Sequence, residues 1–170
     1  MTAHEATGTA AAPLSERQRE VLVLVAQGHT PAEAAAALGL STNTVYSYLR
    51  VSGGKLGVPE RPGLVHAAYT TGQLLPPPRD DRDCPQIPAR QLTLLDLLAD
   101  GAQVRQAAAR LRISARRTRR EIDALCAVLD ARTAVHAVTR GWQLGLLGTP
   151  RHTRGAATPG ANTGTETSCR

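Results

Sequence analysis

Phenylalanine is absent from this chain, and with one tryptophan and three tyrosines the aromatic content is only 2% of 170 residues. Such a chain has few flat faces on which unpaired bases could stack, which argues against the platforms of single-strand binders and leaves aliphatic side chains to fill any core. Cysteine is scarce as well: Cys84, Cys126 and Cys169 lie too far apart for a CxxC metal or redox motif. No stretch has the order of a secretory signal or the apolar length of a membrane span. A reduced, cytoplasmic setting with no membrane partner follows. Nucleophile–base pairs, phosphate-binding glycine loops and paired carboxylates are also missing, so no catalytic residue, no cofactor and no enzyme activity is expected. His66 and His136 have neither cysteine nor carboxylate at ligand spacing, which makes them surface or interface histidines rather than metal ligands.

What is present is concentrated in residues 30–56, TPAEAAAALGLSTNTVYSYLRVSGGKL. Thr30 can cap a helix in which Pro31 occupies N1 and Glu33 completes a capping box. Gly39 supplies the left-handed residue that ends it, and Ser41 caps a second helix from Thr42. Two helices so close in sequence must cross at a large angle, a helix-turn-helix. Ala34, Ala35 and Leu38 face the junction with Val45 and Leu49. The outward side of the second helix carries Thr42, Asn43, Tyr46, Ser47 and Arg50, donors suited to phosphates or base edges. Glycine inside a helix costs roughly 1 kcal/mol relative to alanine, so Gly53 and Gly54 predict a helix that weakens after Ser52.

Upstream, VLVLVA alternates like a strand, but a capping box at Ser15 and Gln18 and a stop at Gly28 predict helix over 16–27. With these flanks, LSERQREVLVLVAQGHTPAEAAAALGLSTNTVYSYL followed by KLGV resembles the DNA-binding domain of LuxR/GerE-type regulators. The resemblance implies a four-helix domain whose third helix enters the major groove and whose fourth forms a dimer contact. Tyr46, Ser47 and Arg50 stand where that family faces base edges, whereas Thr42, Asn43, Thr44 and Lys55 would hold phosphates. Tyr46 and Tyr48 depart from the Lys and His usual in the family. No sensor or receiver domain is expected before the unit, unlike in the commonest members.

Shifted by 73 residues the sequence matches itself: Arg17-Gln18 meets Arg90-Gln91, Leu22 meets Leu95, Gly28 meets Gly101, Ala34-Ala35-Ala36 meets Ala107-Ala108-Ala109, and Ser41 meets Ser114. Toward the end the offset falls to 70, where Val65-His66-Ala67 meets Val135-His136-Ala137. The expected fold class is therefore all-α, with two tandem four-helix LuxR-type domains, 14–75 and 88–147, joined by a Pro-rich linker over 76–87. Residues 1–13 and 148–170 are expected to be flexible tails. In the first domain a fourth helix is expected over 61–71; in the second, helices are expected over 89–100, 104–111, 115–129 and 132–145. A unit of about 60 residues buries only about 60% of its unfolded surface, so each core is marginal alone. Leu64, Val65 and Ala68 in one fourth helix and Val135, Val138 and Trp142 in the other are the expected contact, as a homodimer or an intrachain pseudo-dimer.

The net charge of +6 is unevenly placed, with five basic and four acidic side chains in 14–75 against ten and five in 88–150. Arg116, Arg117, Arg119 and Arg120 oppose the dipole of the helix they open, which favours a bound anion. These features point to double-stranded DNA and a transcriptional regulator. The alternative is an interaction or dimerisation module in which the second unit no longer reads DNA.

Overall fold

A computed structural model describes residues 12–81 and 85–148. Among them are eight helices and no strand: α1 Glu16–Ala26, α2 Pro31–Leu38, α3 Thr42–Leu56, α4 Arg61–Thr70, α5 Ala89–Ala99, α6 Val104–Leu111, α7 Ala115–Val128 and α8 Ala134–Gln143. Residues 1–11 and 149–170 of the expected tails and residues 82–84 of the linker, with Cys84 and Cys169, lie outside the described residues. Apart from the end of α3, expected and observed helix ends agree within two residues.

The caps behave as their chemistry requires. Ser15 and Thr30 form capping boxes with Gln18 and Glu33, and Ser41 and Ser114 accept the amides of Thr44 and Arg117. Behind these starts, α1 buries Val21, Leu22, Val25 and Ala26 on one side, and α5 buries Leu94, Leu95, Leu98 and Ala99 in the same pattern. Two aliphatic cores result, one around α1–α4 and one around α5–α8.

Over the described residues the burial pattern keeps a spacing of 73, which corrects the expected drop to 70. α4 and α8 begin at 61 and 134, and buried Val65 corresponds to buried Val138 rather than to Val135. Downstream, Gly72 and Gly145 both have φ near +70, and Leu74 and Leu147 are both buried. The matching Val-His-Ala tripeptides are one helical turn out of register, so Val135 leaves its own core and packs into the core of α1–α4.

α4 packs against α8, and two further contacts flank that pair, α4 with α5 and α8 with α1. Exchanging the halves turns one flanking contact into the other. The same exchange holds at residue level: a Cβ on Gly63 would come within 2.5 Å of Gly101, and one on Gly28 within 2.8 Å of His136, Gly28 and His136 being the residues 73 positions from Gly101 and Gly63. This reciprocal arrangement is the mark of an isologous, twofold-like interface. Trp142 fills its centre, packing on both cores, edge-on to Tyr69 with ring centres 5.5 Å apart and donating its indole N–H to His66 Nδ1 at 3.0 Å. Leu64, Val65, Ala68 and Val138, expected as a separable contact, are instead wholly buried in the cores of their own halves.

Asp80, in the Pro-rich segment after α4, is fastened to α8. Arg140 reaches Asp80 at 2.9 Å, the Leu129 carbonyl at 3.0 Å and Gln143 Oε1 at 2.8 Å, while the Asp80 amide donates to the Gln143 carbonyl.

Helix α3 does not weaken after Ser52 but continues to Leu56. The Val58 and Gly57 amides both reach the Gly53 carbonyl, and the chain returns so closely that a Cβ on Gly53 would lie 2.8 Å from the Val58 oxygen. Gly53 is thus required by close approach, whereas a Cβ at Gly54 would meet nothing within 4 Å. Gly54→Ala should raise the urea midpoint, by about 0.5–1 kcal/mol in stability, and Gly53→Ala should lower it.

One buried polar atom distinguishes the halves. Gln18 Oε1 accepts from the Ser15 amide and the Lys55 ammonium, at 2.9 and 3.0 Å. At the corresponding place Gln91 Oε1 is buried without a partner, because Pro88 and Val128 stand where the two donors would be. Such an atom costs about 1–3 kcal/mol. Val128→Lys should return a donor and raise the melting temperature; an unchanged or lower value would mean that the amide is not reached.

Candidate nucleic-acid interface

The outer face of α3 is set by what its inner face must do. Val45 and Leu49 are buried against Ala34 and Ala35 of α2, whose small side chains permit the approach. Gly39, at φ +64, turns the chain between the two helices. The residues between the buried positions then point outward: Asn43, Tyr46, Ser47 and Arg50 are exposed, and Thr42 and Thr44 half-buried. Ser41 Oγ, besides capping the Thr44 amide, lies 2.8 Å from Thr44 Oγ1, which steadies the first turn.

Arg61, the first residue of α4, was not among the expected site residues. Its guanidinium lies over the Tyr46 ring, 5.5 Å from the centre. Together with Arg50, Gly53, Gly54 and Pro59 these two side chains line a shallow hollow beside α3. No local pattern pairs Arg61 with Tyr46 in the sequence, because the turn after Leu56 brings them together. Lys55 sits elsewhere: its ammonium donates to the Pro13 carbonyl at 2.8 Å and to Gln18, tying the end of α3 to the start of α1.

On α7 the side chains of Arg116, Arg117, Arg119 and Arg120 are all exposed, with Arg110 in the last turn of α6 and Arg112 capping it. Glu121 is drawn aside, 3.7 Å from Arg117 and 4.0 Å from Arg90. A shallow hollow lined by Ser114, Arg116, Arg117, Arg120, Glu121 and Ala124 opens at this helix start. Four guanidinium groups beside the positive end of a helix dipole repel one another and attract an anion.

Other titrating groups serve the frame. The Thr30 amide and then the Arg132 guanidinium, 2.8 Å away in the other half, hold the Glu33 carboxyl down at about 2. Burial and then the Arg140 charge keep His136 below the usual histidine value, consistent with its Nδ1 accepting from the Arg132 amide at 3.2 Å. Burial raises the Tyr69 hydroxyl; burial and then Asp123 raise the Cys126 thiol, which disfavours the reactive thiolate. Among the described residues no cluster of His, Cys, Asp or Glu could hold a metal ion, and no helix is long and apolar enough to cross a membrane.

The sequence pattern of the bacterial regulatory proteins of the luxR family matches residues 12–68, which form one GerE/LuxR-family helix-turn-helix domain. Over 61 residues the chain is 48% identical to the HTH-type transcriptional activator RamA of Corynebacterium glutamicum, a stretch covering 36% of this chain and 22% of that relative. The chain thus spans about a fifth of the length of this curated relative. No solved structure matches it.

If Arg50 reads a base, Arg50→Ala should cost about 1–3 kcal/mol on the preferred duplex and relax one base position. Arg61→Ala, which frees the Tyr46 ring, should weaken binding in the same titration. A uniform loss over all sequences would make Arg50 a phosphate contact.

Proposed function

We propose that this chain is a sequence-specific, DNA-binding transcriptional regulator whose two tandem LuxR-type helix-turn-helix domains, 14–75 and 88–147, engage double-stranded DNA. The observation that carries this reading is the polar outer face of α3, held out by Val45 and Leu49 within a LuxR-family domain. A helix of this kind lies in the major groove with its first residues against base edges. Tyr46, Ser47 and Arg50 then read sequence, and Arg50 is the best suited because its planar fork pairs with guanine O6 and N7 together. Thr42, Asn43 and Thr44 hold phosphates, fixing register without reading bases. The same role for α7 is supported by its exposed arginines and by helix lengths and caps that follow those of α1–α4. The name of the relative, a transcriptional activator, supports the regulatory context for its shared 61 residues.

Selection of duplexes from a random pool by the full chain tests this directly: enrichment of a defined site is expected, and none would refute the reading. Each phosphate contact adds about 0.9 to the log–log salt slope, so replacing Arg116, Arg117, Arg119 and Arg120 together with Ala should flatten it by up to about 3–4. An unchanged slope would take α7 off the DNA and make α5–α8 an interaction module.

A further inference from the structure

We infer that one chain recognises one asymmetric duplex site, in which the half-site under α7 differs from that under α3 and contains a cytosine read by Asp123. This rests on the DNA-binding reading above and goes beyond it in stoichiometry, operator symmetry and residue assignment.

Stoichiometry comes from the interface. The twofold-like contact that would join two chains is already made inside one, since α4 and α8 cover each other and Trp142 closes both cores. Of the side chains expected at a contact within or between chains, Leu64, Val65, Ala68 and Val138 are at most 1% exposed, Val135 is 7% exposed and Trp142 is partly buried against both cores. Glu33 and Arg132, one from each half, lock the same seam at 2.8 Å. A chain with this arrangement presents two helix-turn-helix units as a dimer would, without the sequence identity that makes dimer operators palindromic.

Asymmetry comes from the helix faces. Ser114 caps α7 through the Arg117 amide at 3.2 Å, as Ser41 caps α3 through the Thr44 amide at 3.1 Å, so residues 73 apart occupy the same places on the two helices. At the outward places of Tyr46, Ser47 and Arg50, α7 carries Arg119, Arg120 and Asp123, all exposed. Tyrosine, serine and arginine are thereby exchanged for two forked donors and one acceptor. Glu121 is engaged by Arg90 and Arg117, whereas no ion pair joins Asp123 to Arg119 or Arg120 among the described residues. A carboxylate in the groove is repelled by phosphates and by the acceptor edges of guanine and thymine, and finds its partner in the cytosine N4 amino group. Arg119 and Arg120 supply the matching preference for guanine, so the half-site under α7 is G/C-rich.

The test uses the full chain. Duplexes are selected from a random pool, the complex is weighed by light scattering, and the selection is repeated with Asp123→Asn and, separately, Arg50→Ala. The expected result is a non-palindromic site bound by one chain. Asp123→Asn should move one position of one half-site from cytosine toward adenine, which asparagine pairs with bidentately, changing relative affinity roughly tenfold. Arg50→Ala should relax the other half-site only. Asp123 is exposed, and an unchanged melting temperature will show that the variant is folded. Two chains on a palindrome, or an unaltered preference with Asp123→Asn, would overturn the inference and leave the DNA-binding reading standing. No enriched duplex would overturn both.

Discussion

Trp142 occupies the position on which the rest of the molecule depends. It belongs to both aliphatic cores, lies edge-on to Tyr69, and donates its indole proton to His66 across the α4–α8 seam. In a chain without phenylalanine no other side chain combines that area with a polar handle, and an aromatic pair of this geometry adds about 0.5–1.5 kcal/mol beyond its burial. Neither half is large enough to be comfortable alone, because small units leave too much apolar surface exposed. Packing α4 on α8 relieves this for both, and Val135 completes the neighbouring core from across the seam.

The seam also explains where the glycines went. A Cβ on Gly63 would meet the Gly101 backbone and one on Gly28 would meet the His136 ring, so the two halves approach backbone to backbone at the first place and backbone to side chain at the second. Arg140 adds a lateral fastening by holding Asp80 of the linker against α8. The outer faces of α3 and α7 take no part in this packing and remain polar.

The halves differ at particular positions. Gln91 lacks both donors that Gln18 has, and where the first half has left-handed Gly39 and Gly57 the second has left-handed Arg112 and Asp130. A buried unpartnered amide oxygen and a left-handed residue other than glycine each cost stability locally. On the exposed faces, Arg119, Arg120 and Asp123 of α7 stand 73 positions from Tyr46, Ser47 and Arg50 of α3.

Local sequence determined the eight helices and their caps, because capping boxes, left-handed glycines and proline at N1 act within a few residues of the backbone they satisfy. It likewise determined which face of α3 is polar, through the spacing of Val45 and Leu49. Only the tertiary structure decided the register of α8, where identical tripeptides were misleading because burial follows the helical face and not residue identity. It also decided that Leu64 and Val138 are core, that Lys55 is tied to Pro13 and Gln18, and that Arg61 stacks over Tyr46. Each of these depends on which long-range neighbour arrives, a choice made by the packing of α4 on α8 and the turn after Leu56. No pattern confined to one helix encodes it.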